Sequence, residues 1–128
     1  MRLGATVPFA AMSEILVYHN QSCSKSRGAL EILEDRGVTT DVVEYLKTPP
    51  DRATLERIVD AIPDPPGELV RKDKRFEELG LREDDYRDRD AVIALLLEHP
   101  ELMQRPVVFR GERAVIARPS ERVLDLLE

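Results

Sequence analysis

Ile15-Leu16-Val17-Tyr18-His19-Asn20-Gln21-Ser22-Cys23-Ser24-Lys25-Ser26-Arg27 is the stretch whose reading decides the fold. Its first four residues form a short apolar run and read as a buried strand. A polar turn follows, and from Gly28 to Arg36 the spacing of apolar residues is helical, with Gly37 as a C-terminal stop. Asp41-Val42-Val43-Glu44-Tyr45 is rich in β-branched and aromatic residues and reads as a second strand. Strand, helix and strand at this spacing make a βαβ unit, so the two strands are expected to be parallel with a right-handed crossover. Cys23, the only cysteine of the chain, therefore falls in a strand-to-helix turn, at or just before a helix N-terminus. Free main-chain N–H groups and the positive end of the helix dipole favour a thiolate at such a place. An ordinary thiol, with a pKa of about 8.5, is only a few per cent ionised at neutral pH. Lowering that value by about two units takes roughly 3 kcal/mol of differential stabilisation, within reach of a helix terminus and a nearby cation.

Beyond the βαβ unit, Thr48-Pro49-Pro50-Asp51 closes the second strand, and Asp51 is a suitable N-cap for a helix whose Leu55, Ile58, Val59 and Ile62 share one face. Pro63-Asp64-Pro65-Pro66-Gly67 breaks that helix. A short helical piece around Glu68 to Val70, the basic run Arg71-Lys72-Asp73-Lys74-Arg75, and a helical turn or two over Phe76 to Gly80 come next. The polar run 82–90 reads as surface, and Ala91 to Leu97 as a helix buried nearly all round and ended at about His99 by Pro100. Pro106-Val107-Val108-Phe109 is expected to be the third strand, Arg110-Gly111-Glu112-Arg113 a hairpin turn, and Ala114-Val115-Ile116 the fourth strand. A last helix from Pro119-Ser120-Glu121 is expected to bury Val123, Leu124 and Leu127. The order βαβ, helical middle, ββα is the plan of an α/β fold: a thioredoxin/glutaredoxin-like four-stranded mixed sheet with an inserted helical subdomain. One domain is expected over 14–128, with the insertion at about 49–104, after a disordered N-terminal extension over 1–13.

With 128 residues, 42% of them apolar and 34% charged, the chain suits a soluble globular domain with a real core. Its net charge of −6 speaks against non-specific nucleic-acid or anionic-membrane binding, without excluding a local cationic pocket. One cysteine excludes an internal disulfide framework and suggests a reducing, cytoplasmic setting. Met1 to Ala11 is too short in its apolar part, and too broken by Gly4 and Pro8, to read as a signal peptide. It reads instead as an extension or an upstream start before Met12. No run is long enough to span a membrane as a helix.

The surroundings of Cys23, namely Ser22, Ser24, Lys25, Ser26 and Arg27, are polar and cationic, the wrong company for an inert buried thiol. Cys23-Ser24-Lys25-Ser26 is a C-x-x-S sequence, so no second thiol of this chain can resolve a disulfide, and an external thiol must. Arg105 precedes Pro106 at the mouth of the third strand, on the sheet edge that also carries the start of the first helix. From there its planar fork could reach an oxyanion held at Cys23. Arg71 opens the basic run and Arg118 precedes Pro119 at the end of the fourth strand. Arg87, Arg89, Arg110 and Arg113 read as solvated surface charges. His19 reads equally as a group that lowers the thiol pKa or moves a proton, and as a strand-end histidine held by hydrogen bonds. Ser26 reads as a donor to the thiolate or as a first-turn residue serving the backbone. Two distant histidines and one cysteine give no metal-ligand spacing, and no glycine pattern for a nucleotide is present.

Several stretches taken in order resemble one family: Tyr18-His19-Asn20 with Cys23 and Ser26-Arg27, Tyr45-Leu46 with Pro49-Pro50, Leu69-Val70-Arg71-Lys72, and Glu78-Leu79-Gly80-Leu81. The series continues with His99-Pro100, Arg105-Pro106-Val107-Val108 and Arg118-Pro119-Ser120-Glu121. They resemble the glutaredoxin-coupled, ArsC-type arsenate reductases, over roughly Ile15 to the C-terminus. The resemblance implies a thioredoxin-like enzyme of arsenical resistance that reduces arsenate to arsenite. Cys23 would be its nucleophile, Arg71, Arg105 and Arg118 its oxyanion-binding arginines, and His19 and Ser26 accessory groups near the thiol. It also implies a cis peptide bond before Pro106. Glutathione or another low-molecular-weight thiol would be the co-substrate and a glutaredoxin-like protein the partner, with no bound cofactor or metal and a monomer as the working unit. Gln21 stands where the family often has proline, and Ser24-Lys25 replaces its more usual small residues. Two other activities occur on related chains: general glutathione-dependent thiol-disulfide exchange, and RNA polymerase binding by Spx-type regulators, which usually carry C-x-x-C. The three arginines favour the first reading, and the lack of a second cysteine disfavours the last.

Overall fold

The computed structural model describes residues 15–20 and 22–127. The extension expected over 1–13, and Gln21, lie outside the described residues. Four strands, β1 (Ile15–His19), β2 (Thr40–Glu44), β3 (Val107–Arg110) and β4 (Arg113–Ile116), form one sheet in the order β2-β1-β3-β4. β1 runs parallel to β2 and antiparallel to β3, and β3 and β4 are an antiparallel hairpin. The sheet is mixed, as expected from the βαβ and ββ units, and helix α1 (Ser24–Asp35) makes the parallel crossover.

All four strands differ from the sequence reading by one residue at one end or both: β1 runs on to His19, β4 starts at Arg113, and β2 and β3 are each shifted by one. β2 spans Thr40–Glu44, and Tyr45 turns fully into the core just past its end. β3 begins at Val107, because Pro106 has no N–H to give to a ladder. The peptide bond before Pro106 is cis, and so is the one before Pro119, which was not anticipated.

The alternation of side chains along the central strands divides the core into two layers. Ile15 and Val17 of β1, Val108 of β3 and Val115 of β4 face Ala29 and Leu33 of α1 and Val123 and Leu126 near the C-terminus. Tyr18, Val107, Phe109, Ala114 and Ile116 face the opposite way, onto the helical segment between β2 and β3. That segment contains α2 (Arg52–Ala61), α3 (Lys74–Glu78) and α4 (Arg89–Glu98), with single 3-10 turns at Pro66–Leu69, Glu83–Asp85 and Pro100–Leu102. Each of its helices starts on an aspartate that accepts a main-chain N–H: Asp51 from Thr54 at 2.9 Å, Asp73 from Phe76 at 3.2 Å, and Asp88 from Ala91 at 2.8 Å. The expected face of α2 is borne out, with Leu55, Ile58, Val59 and Ile62 buried. α4 is less enclosed than its composition suggests. It buries Val92, Ile93, Leu95 and Leu96, while Ala94 and Leu97 face solvent.

The C-terminal helix is a correction. Ser120–Leu126 is a 3-10 helix, and its repeat of three places Ser120, Val123 and Leu126 on the buried face. Leu124 and Leu127, expected in the core, are half-buried. This segment is latched to α1 through Ser120, whose Oγ donates to the Lys25 carbonyl at 2.9 Å. The two elements meet so closely that a Cβ on Gly28 would lie 2.8 Å from Ser120 Oγ. Arg110 and Arg113, read as surface charges, also donate to the carbonyls of Leu126 and Asp125 at 2.8 and 2.7 Å and tie the hairpin to the same segment. Arg89 likewise forks onto Asp60 at 2.8 and 3.0 Å, joining α4 to α2.

Candidate active site

Cys23 is the N-cap residue of α1, with extended backbone, and only 8% of its surface is exposed. The turn that carries it is closed by Asn20, whose carbonyl accepts the Cys23 N–H at 2.9 Å and whose Oδ1 accepts the Ser22 N–H at 2.9 Å. Burial of the sulfur is the largest influence on its titration and works against the anion. A hydrogen bond from Arg105, the main-chain N–H groups of Ser26 and Lys25, and the Ser26 hydroxyl outweigh it and pull the thiol down to about 6. The main-chain groups point at the sulfur from the first turn of α1 without making a full cap hydrogen bond. With a pKa near 6, about nine-tenths of the thiol is ionised at pH 7.

Two of the three arginines act on the sulfur. Arg118 Nη1 lies 3.8 Å from it while donating to the Arg105 carbonyl at 3.1 Å, and Arg105 is the foremost of the groups that favour the thiolate. Arg118 is thus held by the main chain of Arg105, and the two guanidinium groups converge on one atom from the two ends of the β3–β4 hairpin. Arg71 completes the group from the helical insertion. The Arg71 N–H donates to the Leu102 carbonyl at 2.7 Å, beside a bridge that pairs Val70 with Met103, which brings this distant segment alongside the entry to β3. Its guanidinium pairs with Asp73 at 2.9 Å. Burial lowers the Arg71 pKa, and the charges of Arg105 and Arg118 push it the same way, against the pull of Asp73 and Tyr45. Three cations therefore sit close enough to feel one another around a single buried thiolate, an arrangement that calls for an anion between them.

Ser26 fulfils both of its expected roles. It is fully buried, donates to the thiolate, and its Oγ accepts the Asn20 N–H at 3.4 Å. His19 is also buried, and its Nδ1 has no hydrogen-bond partner. Burial holds its pKa below the ordinary histidine value, opposed by Glu44 and reinforced by Arg27.

One group at the site was not picked out in the sequence as functional. Tyr45 is fully buried and donates its hydroxyl to the Met103 carbonyl at 3.2 Å; burial raises its pKa, and the charge of Arg105 opposes that rise. Its signals in the sequence are a polar-tipped aromatic at a strand end and its place in one of the stretches that resemble the family. Among the described residues no group of three or more His, Cys, Asp or Glu is placed to hold a metal ion. No helix among them is long and apolar enough to cross a membrane.

Fold and site together define a thioredoxin-like protein with one ionised cysteine under converging guanidinium groups. The ArsC family model matches residues 18–126, and the chain belongs to the ArsC family. An arsenate reductase of Neisseria meningitidis serogroup A is 40% identical over 114 residues, covering 88% of this chain and 97% of the relative. An arsenate reductase of Escherichia coli is 41% identical over 117 residues, covering 91% and 82%. The structure of an arsenate reductase from Vibrio cholerae superposes with a TM-score of 0.78 at 35% identity, covering 87% of this chain and 95% of that one.

Proposed function

We propose that this protein is an arsenate reductase that uses Cys23 as nucleophile and external thiols as reductant. The observation that carries the reading is the set Cys23, Arg105, Arg118 and Arg71: one thiolate, the Arg118 guanidinium in contact with it, Arg105 favouring its charge and Arg71 beside them. A tetrahedral oxyanion fits such a set, because planar guanidinium groups donate paired N–H bonds to its oxygens while leaving the central atom open to the sulfur. The relatives named above as arsenate reductases support arsenate as that oxyanion.

The Cys23 thiolate attacks arsenic(V), an As–S bond forms, and an arsenate oxygen leaves as hydroxide or water. The arginines neutralise the charge carried by the remaining oxygens. Glutathione, or an equivalent low-molecular-weight thiol, then brings the second sulfur. As its S–S bond to Cys23 forms, arsenic takes two electrons and departs as arsenite. With serine at position 26 the chain cannot displace glutathione itself, so a glutaredoxin-like protein resolves the mixed disulfide by thiol exchange. The chain works as a monomer in the cytoplasm, without bound cofactor.

The test is arsenate reduction with glutathione, glutaredoxin and its regenerating system, comparing wild type with Cys23→Ser. Wild type should turn over and Cys23→Ser should not. Equal rates would overturn the proposal. The assay is repeated with mycothiol and its partner, so that a mismatched thiol is not mistaken for a wrong substrate.

A further inference from the structure

Cys23 and Arg118 are 95 positions apart, and so are Lys25 and Ser120. Both pairs are in contact. Arg118 Nη1 lies 3.8 Å from the Cys23 sulfur, and two residues further along each segment Ser120 Oγ donates to the Lys25 carbonyl at 2.9 Å. The chain leaving β4 thus runs along the first turn of α1 and is joined to it at two successive places. Ser120 is buried, and its seat leaves no slack: a Cβ on Gly28 would meet Ser120 Oγ at 2.8 Å and Ser120 Cβ at 3.4 Å. On the other side of Arg118, the Ala117 N–H donates to the Pro106 carbonyl at 2.9 Å and the Arg118 N–H to the Ile116 carbonyl at 2.8 Å. Those two bonds tie the segment to the sheet, whereas the Ser120 bond ties it to the helix that Cys23 caps. The rest of the 3-10 helix has anchors of its own. Val123 and Leu126 share a buried layer with Ala29 and Leu33, and Arg113 Nη2 donates to the Asp125 carbonyl at 2.7 Å.

We infer that Ser120 is a positioning residue for Arg118: its hydroxyl, seated against Gly28, fixes how far the end of β4 stands from α1 and so holds the Arg118 guanidinium at the Cys23 sulfur. This rests on the reading of Cys23 as a reactive thiolate and goes beyond it by assigning the placement of Arg118 to a residue that bonds the main chain two positions past the sulfur. The placement matters because the Arg118 contact is already long. A charge-assisted hydrogen bond to sulfur, and the attraction between the two charges, both weaken as the separation grows. Without the hydroxyl, the segment keeps its bonds to the sheet and loses its bond to α1, and the guanidinium is free to move off the sulfur.

Ser120→Ala keeps the buried Cβ and removes only the donor. The readout is the pH profile of Cys23 alkylation by iodoacetamide in protein without arsenate, because its midpoint reports the stability of the thiolate and not the access of the reagent. The midpoint should rise by about half a pH unit, which lowers the rate at pH 6 about twofold. In an Arg118→Ala background the same change should add no shift, since the latch acts through Arg118. Arg113→Ala, which removes an anchor at the far end of the same 3-10 helix, should leave the midpoint at the wild-type value. An unchanged midpoint in Ser120→Ala, an equal further shift in the Arg118→Ala background, or as large a shift in Arg113→Ala would overturn the inference. Should Ser120→Ala fail to fold, Gly28→Ala carries the test. Its methyl group displaces the Ser120 hydroxyl while placing a better helix former in α1, and the midpoint should rise here too. An unchanged midpoint in that variant would equally overturn the inference. No arsenate enters these measurements, so the latch can fail while arsenate reduction stands, and the reverse.

Discussion

Cys23 shows how a buried cysteine can still be an anion. Enclosure raises its pKa, yet Arg105, two main-chain N–H groups and Ser26 together lower it further than burial raises it. Alkylation of the wild type should accordingly titrate with a midpoint near pH 6, and Arg105→Ala should move that midpoint toward the free-thiol value of about 8.5. The same shift makes stability depend on pH. Between about 6 and 8.5 the folded thiol has lost its proton and the unfolded one has kept it, so the unfolded state binds more protons. The contribution is complete above the unfolded value and disappears as pH falls through 6. The stability difference between wild type and Cys23→Ser, read by urea unfolding, should therefore grow in favour of wild type from pH 6 to 8.5. A difference that does not vary with pH would count against an ionised Cys23. For His19 the sequence left two roles open. The structure shows a buried ring whose Nδ1 has no hydrogen-bond partner and whose pKa is held down by burial.

At the level of elements, the hydrophobic pattern located the strands and helices but not always the type of helix. Val123, Leu124, Leu126 and Leu127 fit a period of 3.6 about as well as a period of 3. Contact with α1 decides between them. Ser120 must reach the Lys25 carbonyl and fit against Gly28, and a 3-10 path from that point buries Val123 and Leu126. Leu126→Ala should then cost about 2–5 kcal/mol of unfolding free energy, the range for an enclosed leucine, and Leu124→Ala less than about half as much. The comparison is made by urea denaturation, and the reverse ranking would mean that the segment is an α-helix in solution. The caps were legible from sequence because they are local. Asp51 was identified as an N-cap from its place before the amphipathic run, and its carboxylate does accept the Thr54 N–H.

For the whole molecule, the helical insertion matters because it delivers Arg71. The pairing of Val70 with Met103, and of Arg71 N–H with the Leu102 carbonyl, fastens the insertion to the strand that leads to Arg105. The Arg71 guanidinium pairs with Asp73, whereas Arg118 lies against the sulfur and Arg105 favours its charge. Arg71→Ala should therefore raise the arsenate KM about tenfold or more, as expected for loss of a charged hydrogen bond, and leave the Cys23 alkylation midpoint close to wild type. Steady-state kinetics and the alkylation profile check the two halves, and a midpoint shift as large as that of Arg105→Ala would place Arg71 on the thiolate instead. The sequence by itself determined the βαβ start, the lone thiol at a helix N-terminus, the ββ hairpin and the candidate arginines. Each of these is written in local spacing, in turn residues or in the chemistry of single side chains. Only the tertiary structure decided that Arg105 and Arg118 act on the same sulfur, that Arg71 reaches them through the insertion, that the last helix is 3-10, and that Tyr45 is buried with its hydroxyl on the Met103 carbonyl. Those facts depend on contacts between residues far apart in the chain, such as the 95 positions between Cys23 and Arg118. No local period or propensity encodes such distances; the packing of two layers against one sheet does.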